Sequence, residues 1–130
     1  MIVVDASAVF ETLLRRPNAE SVEKRLFDLS ETLHAPYLLD VEVAQVLRRY
    51  AASGEIDGER GRMALADLAD FPLTRYPHEF LLPRVWDLRQ NLTAYDAVYI
   101  ALAEVLDASL LTCDRRLAAA PGHRARVEVV

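Results

Sequence analysis

Ile2-Val3-Val4-Asp5-Ala6-Ser7 is the stretch that decides the fold of this 130-residue chain. An apolar, β-branched run that ends in an aspartate predicts a short strand, central in a sheet and buried on both faces. A helix from about Val9 to Arg15 follows, with Ser7 predicted as its N-terminal cap. Strand, acid, turn and helix begin an α/β unit, and such sheets bind ligands beyond the carboxyl ends of their strands. Asp5 therefore lies where a site would be.

Short apolar strands alternate with helices along the rest of the chain. Further strands are predicted at Leu33–Ala35, Leu73–Tyr76, Ser109–Thr112 and Val127–Val130. Helices are predicted at Ala19–Leu29, Leu38–Ser53, Gly58–Ala69, His78–Arg89 (the helix proper from Pro83) and Arg115–Ala120. One more helix has Asp96 in its first turn and is apolar all round from Ala97 to Ala103. Leu29 and Met63 are expected on the buried faces of their helices. The alternation predicts a three-layer α/β/α domain with a mostly parallel sheet of four to five strands. No repeat or long linker divides residues 1–130, so one domain is expected.

Composition limits the classes of protein that this chain can belong to. With 52% hydrophobic and 27% charged residues, it is typical of a globular protein and not of a disordered one. No apolar run approaches the length of a membrane span, and no basic region precedes the first apolar stretch, so we expect a cytoplasmic protein. The single cysteine, Cys113, excludes an internal disulfide and a multi-cysteine zinc site. The net charge of −5 argues weakly against nucleic-acid binding, although paired arginines such as Arg48 and Arg49 can contact phosphates.

Four carboxylates occupy positions that suggest chemistry. They are Asp5 and Asp114, each just after a predicted strand, Asp96 in the first turn of a buried helix, and Glu42 on the long helix. Each also has a structural explanation, because Asp114 can cap the next helix and Asp96 has capping-box spacing to Thr93. Asp40 competes with Glu42 for the inward face of its helix.

These carboxylates are expected to converge, because strand ends and helix N-termini gather at one edge of a parallel α/β domain. Like charges packed together raise one another's pKa, and a divalent cation removes that cost. Oxygen ligands without histidine or thiolate suit Mg²⁺ or Mn²⁺ better than Zn²⁺. His34, His78 and His123 show no metal-ligand spacing, and we expect them to be surface or packing residues.

Four segments, in matching order, resemble the motifs of PIN-domain proteins. They are IVVDASA at 2–8, EVAQVLRR at 42–49, LTAYDAVYIALA at 92–103 and LTCDRRL at 111–117. More narrowly, the chain resembles the VapC-type toxins of bacterial type II toxin-antitoxin pairs. The tyrosine-aspartate block around Asp96 is the most specific part of this likeness.

The resemblance implies a PIN-like fold and a metal-dependent endoribonuclease that acts as a toxin. The family's acidic quartet falls on Asp5, Glu42, Asp96 and Asp114, which become the candidate catalytic and metal-binding residues. Asp5 and Asp96 are the first choice as direct ligands of Mg²⁺ or Mn²⁺. Ser7 and Thr112 occupy positions where the family often places a hydroxyl, and we expect them to have a supporting role.

The same resemblance implies partners. These are an RNA substrate, a small antitoxin protein whose C-terminal segment covers the active site, and a second copy of the chain in a homodimer. Arg89 and Arg115 are candidates for contacting the RNA backbone at the edge of the site.

Other functions for a strand that ends in aspartate fit less well. A phosphatase of the haloacid dehalogenase type needs a second aspartate two residues after Asp5, where this chain has Ser7. A phospho-receiver domain needs a lysine near its end, and the only lysine is Lys24. The remaining alternative is a PIN-like domain without catalysis that binds RNA or acts as a scaffold, and the four intact acids argue against it.

Overall fold

The computed structural model describes residues 1–130 as one five-stranded sheet with helices packed on it. The strands are β1 (Ile2–Val4), β2 (Leu33–Pro36), β3 (Leu73–Tyr76), β4 (Ser109–Thr112) and β5 (Val127–Val129). The α-helices are α1 (Ala6–Leu13), α2 (Ala19–Leu26), α3 (Leu38–Ala52), α4 (Gly58–Ala69), α5 (Leu82–Asp87), α6 (Ala94–Leu106) and α7 (Arg115–Ala119), and a 3₁₀ turn covers Glu79–Leu81. Every strand pair is parallel and the order is β3-β2-β1-β4-β5. The predicted α/β architecture is confirmed.

Strand β1 lies in the middle of the sheet, as its sequence predicts. Its three residues have no exposed surface, because β2 and β4 flank them and helices cover them. Val4 pairs with Leu111 of β4, and the Asp5 amide donates to the Leu111 carbonyl at 3.0 Å. Strands β1 and β4 therefore end side by side, which brings the residues that follow them to one edge.

Helix α6 has more buried residues than any other helix. Residues 97–103 are all buried, and the helix contacts β1, β2 and β4 as well as α5. A helix that is apolar on every side is stable only in such a position. No helix of the protein combines the length and the apolar character that crossing a membrane requires.

The predicted cap of the first helix is wrong. Helix α1 begins at Ala6, three residues earlier than predicted, so Ser7 lies within its first turn and makes no capping bond. The Ser7 hydroxyl contacts the Asp5 carboxylate instead. Local propensity identified a polar residue near a helix start, whereas the structure places its hydroxyl between Asp5 and the Cys113 amide at the end of β4.

Two predicted core positions are also wrong. Helix α2 ends at Leu26, so Leu29 falls in the following turn and is fully exposed. Helix α4 turns Gly61, Ala64 and Leu68 inward, which leaves Met63 exposed. Helix α2 is thus shorter than predicted, and the buried face of α4 is narrower than its apolar composition suggests.

Candidate active site

A cleft of about 700 Å³ opens at the carboxyl edge of the sheet. All four candidate acids line it, and we call it the acidic cleft; they are Asp5, Glu42, Asp96 and Asp114. They come from the ends of β1 and β4 and from the first halves of α3 and α6. No three histidine, cysteine, aspartate or glutamate side chains lie close enough together to form a metal site by themselves. The carboxylates share a cleft without forming a closed cage.

Asp5 is held by two hydroxyl groups at the floor of the cleft. The hydroxyls of Thr112 and Ser7 donate to its Oδ2 atom, at 2.6 and 3.0 Å. No hydrogen bond within the protein reaches Oδ1. Burial raises the pKa of Asp5 above its ordinary value, and the nearby Asp96 charge adds to the increase, while the two hydroxyl groups oppose it.

The same two hydroxyls connect α1 to the end of β4. The Cys113 amide donates to the Ser7 hydroxyl and the Asp114 amide donates to the Thr112 hydroxyl, both at 2.9 Å. Each hydroxyl can therefore direct its own proton to the Asp5 carboxylate. The geometry matches the supporting role that the resemblance implies for Ser7 and Thr112.

Glu42 reaches the cleft from α3, and Asp40 does not. The Tyr99 hydroxyl of α6 donates to Glu42 Oε1 at 2.5 Å. Asp40 is paired instead with Arg75 of β3, at 2.8 and 3.1 Å. Burial raises the pKa of Glu42, and the charges of Asp5 and Asp96 raise it further, while the Tyr99 hydrogen bond lowers it. The choice that the sequence left open between the two acids is decided for Glu42.

Asp96 lies in the first turn of α6, and its backbone and side chain have different roles. Its amide donates to the Thr93 hydroxyl at 3.2 Å, which confirms Thr93 as the N-terminal cap of the helix. The reciprocal bond of a capping box is not formed, and no hydrogen bond or ion pair engages the Asp96 carboxylate. The side chain is therefore available to the acidic cleft.

Asp114 differs from the other three acids because its carboxylate forms an ion pair with an arginine, Arg116. Its carboxylate accepts the Arg116 amide at 2.9 Å and so caps α7. The Arg116 guanidinium donates to both carboxylate oxygens, at 3.1 and 2.8 Å. These bonds hold the pKa of Asp114 below its ordinary value. The capping explanation is thus correct for Asp114, although the residue also lines the cleft.

The arginines that line the cleft are not the predicted ones. Arg16 and Arg49 are lining residues, whereas Arg89 and Arg115 are not. The Arg16 guanidinium lies 5.2 Å from the centre of the Tyr50 ring, and Arg89 stacks on a tryptophan outside the cleft. The signal for Arg49 was its position two helical turns after Glu42, which places both on one face of α3.

Tyr99 contacts a candidate acid, but its sequence context did not predict this contact. It occupies a helix that is apolar all round, so the pattern predicts a packing residue. The only available signal was a hydroxyl that would need a hydrogen-bond partner when buried. The histidines contribute nothing to the cleft: His34 bonds to Thr32 and Tyr76, and His78 accepts the Leu38 amide.

Comparison with known proteins places the chain in a family. The model of the PIN domain matches residues 2–122. Ribonuclease VapC1 of Mycobacterium tuberculosis is 46% identical over 130 residues, covering 98% of this chain and 96% of the relative. Ribonuclease VapC12 of the same organism is 39% identical, with coverages of 100% and 99%.

A solved structure supports the fold. The crystal structure of VapBC2 from Rickettsia felis, bound to a promoter DNA fragment, matches with a TM-score of 0.74 at 14% identity. The match covers 100% of this chain and 99% of that chain. The PIN-domain model matches nearly the whole chain, and the relatives are similar over almost their full length. This chain therefore belongs to the PIN-domain family, among the VapC ribonucleases.

Proposed function

We propose that this protein is an endoribonuclease that hydrolyses RNA phosphodiester bonds in the acidic cleft and acts as the toxin of a toxin-antitoxin pair. The observation that carries the proposal is the gathering of Asp5, Glu42, Asp96 and Asp114 around one cleft. The identity to ribonucleases over nearly the whole chain supports the same conclusion.

The donor atoms of the cleft suit a hard divalent cation. They are carboxylate oxygens, and three of the acids retain free capacity: Asp5 through Oδ1, Glu42 through Oε2 and Asp96 through its whole carboxylate. Asp5 and Asp96 would be the first ligands of Mg²⁺ or Mn²⁺ and Glu42 a further one, with water and a substrate phosphate as the remaining ligands, which is the usual arrangement for Mg²⁺. When bound, the ion would lower the pKa of a water molecule and offset charge on the phosphate.

Glu42, Asp114 and the two arginines of the cleft have further tasks in this proposal. Glu42, whose pKa is raised, is suited to accept a proton from the attacking water or to hold that water. Asp114 is the second candidate for this task, although its bond to Arg116 makes it less basic. Arg16 and Arg49 would contact the RNA phosphates beside the scissile bond.

The lining of the cleft also suits a protein partner. Apolar side chains stand beside the acids, including Val41, which is 67% exposed, and Tyr95, which is 63% exposed. We propose that a segment of a small antitoxin protein covers the cleft and that the toxin forms a homodimer. Sedimentation of the toxin alone and with its antitoxin would test both assemblies.

The test is cleavage of a mixed cellular RNA pool with Mg²⁺, with Mn²⁺ and with chelator. Wild type, Asp5→Asn and Asp40→Asn are purified in parallel; Asp40 is the matched control, because it is an acid outside the cleft. We expect metal-dependent cleavage by wild type and Asp40→Asn, and none by Asp5→Asn. Equal cleavage by all three proteins would reveal a contaminating nuclease. RNA binding without cleavage would favour the non-catalytic alternative.

A further inference from the structure

The carboxylate of Glu42 has one partner in the whole protein. The Tyr99 hydroxyl donates to it at 2.5 Å, and no other hydrogen bond or ion pair engages it. Tyr99 is 1% exposed and its ring is part of the hydrophobic core. The two residues are 57 positions apart and join α3 to α6 across the cleft.

Glu42 needs an anchor because its surroundings push it outward. Asp5 and Asp96 line the same cleft, and like charges favour separation. A glutamate on a helix has three flexible side-chain torsions, so solvent would be its alternative position. A hydroxyl on a buried, rigid ring provides a fixed donor that counters both effects.

We propose that Tyr99 is a positioning residue of the reaction: its hydroxyl holds the Glu42 carboxylate in the cleft against repulsion from Asp5 and Asp96. This inference rests on the proposed nuclease function. It assigns a role to the hydroxyl and not to the ring, which packs in the core whether or not the hydroxyl is present.

A purely structural role makes a different prediction. A buried hydroxyl must find a hydrogen-bond partner, and Glu42 would then simply satisfy Tyr99. In that case removing the hydroxyl would leave metal binding and turnover unchanged. The positioning role predicts that loss of the Tyr99 hydroxyl lowers metal binding and turnover only while Glu42 is present. The structural role predicts no change in either quantity.

The experiment compares Tyr99→Phe with Tyr76→Phe. Tyr76 is a matched control, because its hydroxyl bonds to His34 at 2.7 Å outside the cleft. We expect Tyr99→Phe to lower kcat by about 10- to 100-fold with KM little changed, the range typical of residues that orient a metal-site ligand. Mn²⁺ affinity, measured by calorimetry, should fall as well, and Tyr76→Phe should match wild type in all three quantities.

A double-mutant cycle on Mn²⁺ affinity tests the route through Glu42. In a Glu42→Ala background, Tyr99→Phe should cause no further loss, because the group that it positions is gone. Additive losses, or wild-type kcat and Mn²⁺ affinity in Tyr99→Phe, would overturn the inference.

Failure of this inference is distinguishable from failure of the proposed function. Cleavage that persists in Asp5→Asn would overturn the nuclease proposal and with it the role of Tyr99. An inactive Asp5→Asn beside a fully active Tyr99→Phe would overturn the positioning role alone.

Discussion

Two groups of carboxylates in this molecule have opposite electrostatic surroundings. One is the Arg25 cluster, formed by Arg25, Glu31, Glu128 and the Met1 amine. Arg25 donates to Glu128 at 2.7 and 3.0 Å and to Glu31 at 2.9 Å, and the Met1 amine lies 3.0 Å from Glu31. These bonds hold the pKa of both glutamates below their ordinary values.

In the acidic cleft the pKa shifts of Asp5 and Glu42 have the opposite direction. Asp5 and Glu42 have no cation partner, and burial raises the pKa of each. The Arg25 cluster completes its charges within the protein and so ties α2 and β5 together. The cleft leaves Asp5, Glu42 and Asp96 without a cation partner at a cost in stability, which is the usual property of a functional site. A raised pKa thus distinguishes Asp5 and Glu42 from the two glutamates of the Arg25 cluster.

The largest expected effect is from Asp96→Asn, which removes one uncompensated charge of the cleft. RNA cleavage should fall to the background of the assay, because a proposed metal ligand is lost. The melting temperature should stay the same or rise, since Asp5 and Glu42 lose a like charge and the Thr93 cap uses the backbone of residue 96. Cleavage rates and thermal unfolding by circular dichroism measure both. A much lower melting temperature would show that the side chain is structural.

Asp114→Asn should cause a smaller loss of activity than Asp5→Asn. Asp114 lies in the cleft but resembles the Arg25 cluster, because Arg116 already neutralises its charge. We expect measurable residual cleavage in Asp114→Asn under conditions where Asp5→Asn has none. Initial rates on one RNA substrate provide the comparison, and equal losses would mean that pairing with Arg116 does not weaken the role of Asp114.

Arg25→Ala should affect stability and leave cleavage unchanged. It deprives two glutamates of their cation, and we expect the free energy of unfolding to fall by about 1–2 kcal/mol, discounted for partial exposure. Urea unfolding measures this change. Lys24→Ala is the control, because Lys24 makes only a highly exposed ion pair with Glu20 and should have almost no effect. A comparable loss in both variants would contradict a special role for the Arg25 cluster.

The smallest effect concerns the pH dependence of stability. The folded pKa of Glu42 lies above its ordinary value of 4.5, so the folded protein binds this proton more tightly than the unfolded chain does. Ionised Glu42 therefore costs stability above its folded pKa, and the cost disappears as the pH falls towards 4.5. Glu42→Gln should raise the melting temperature more at pH 7.5 than at pH 4.5, measured with chelator present.

The Arg25 cluster supplies the opposite sign. The pKa of Glu31 and that of Glu128 are lowered, so their contribution is present above their ordinary value of 4.5 and is lost as the pH falls through the folded pKa. When the pH is lowered below 4.5, the free energy of unfolding should therefore fall less in Arg25→Ala than in wild type, as measured by urea unfolding. A gain in Glu42→Gln that does not change with pH would contradict the assigned burial of its charge.

The sequence by itself determined the type of the main elements, their succession along the chain and the central place of β1. The β-branched run before Asp5 predicts the central strand, and the all-apolar run at 97–103 predicts the buried helix, because strand and helix periodicities are local properties. The alternation of strands and helices predicts a parallel sheet. Because strand ends and helix N-termini gather at one edge of such a sheet, Asp5, Asp96 and Asp114 are expected there.

Only the tertiary structure decided which side chains meet. The sequence could not choose between Asp40 and Glu42, which lie on nearly opposite faces of α3, because its pattern does not fix which face meets the cleft. The pairing of Asp40 with Arg75 and of Glu42 with Tyr99 settles the choice. The Cys113 amide at the end of β4 binds the Ser7 hydroxyl, which contacts Asp5 where a helix cap was predicted. Such contacts join residues through space, and their energies depend on helix rotation and packing, which no local pattern specifies.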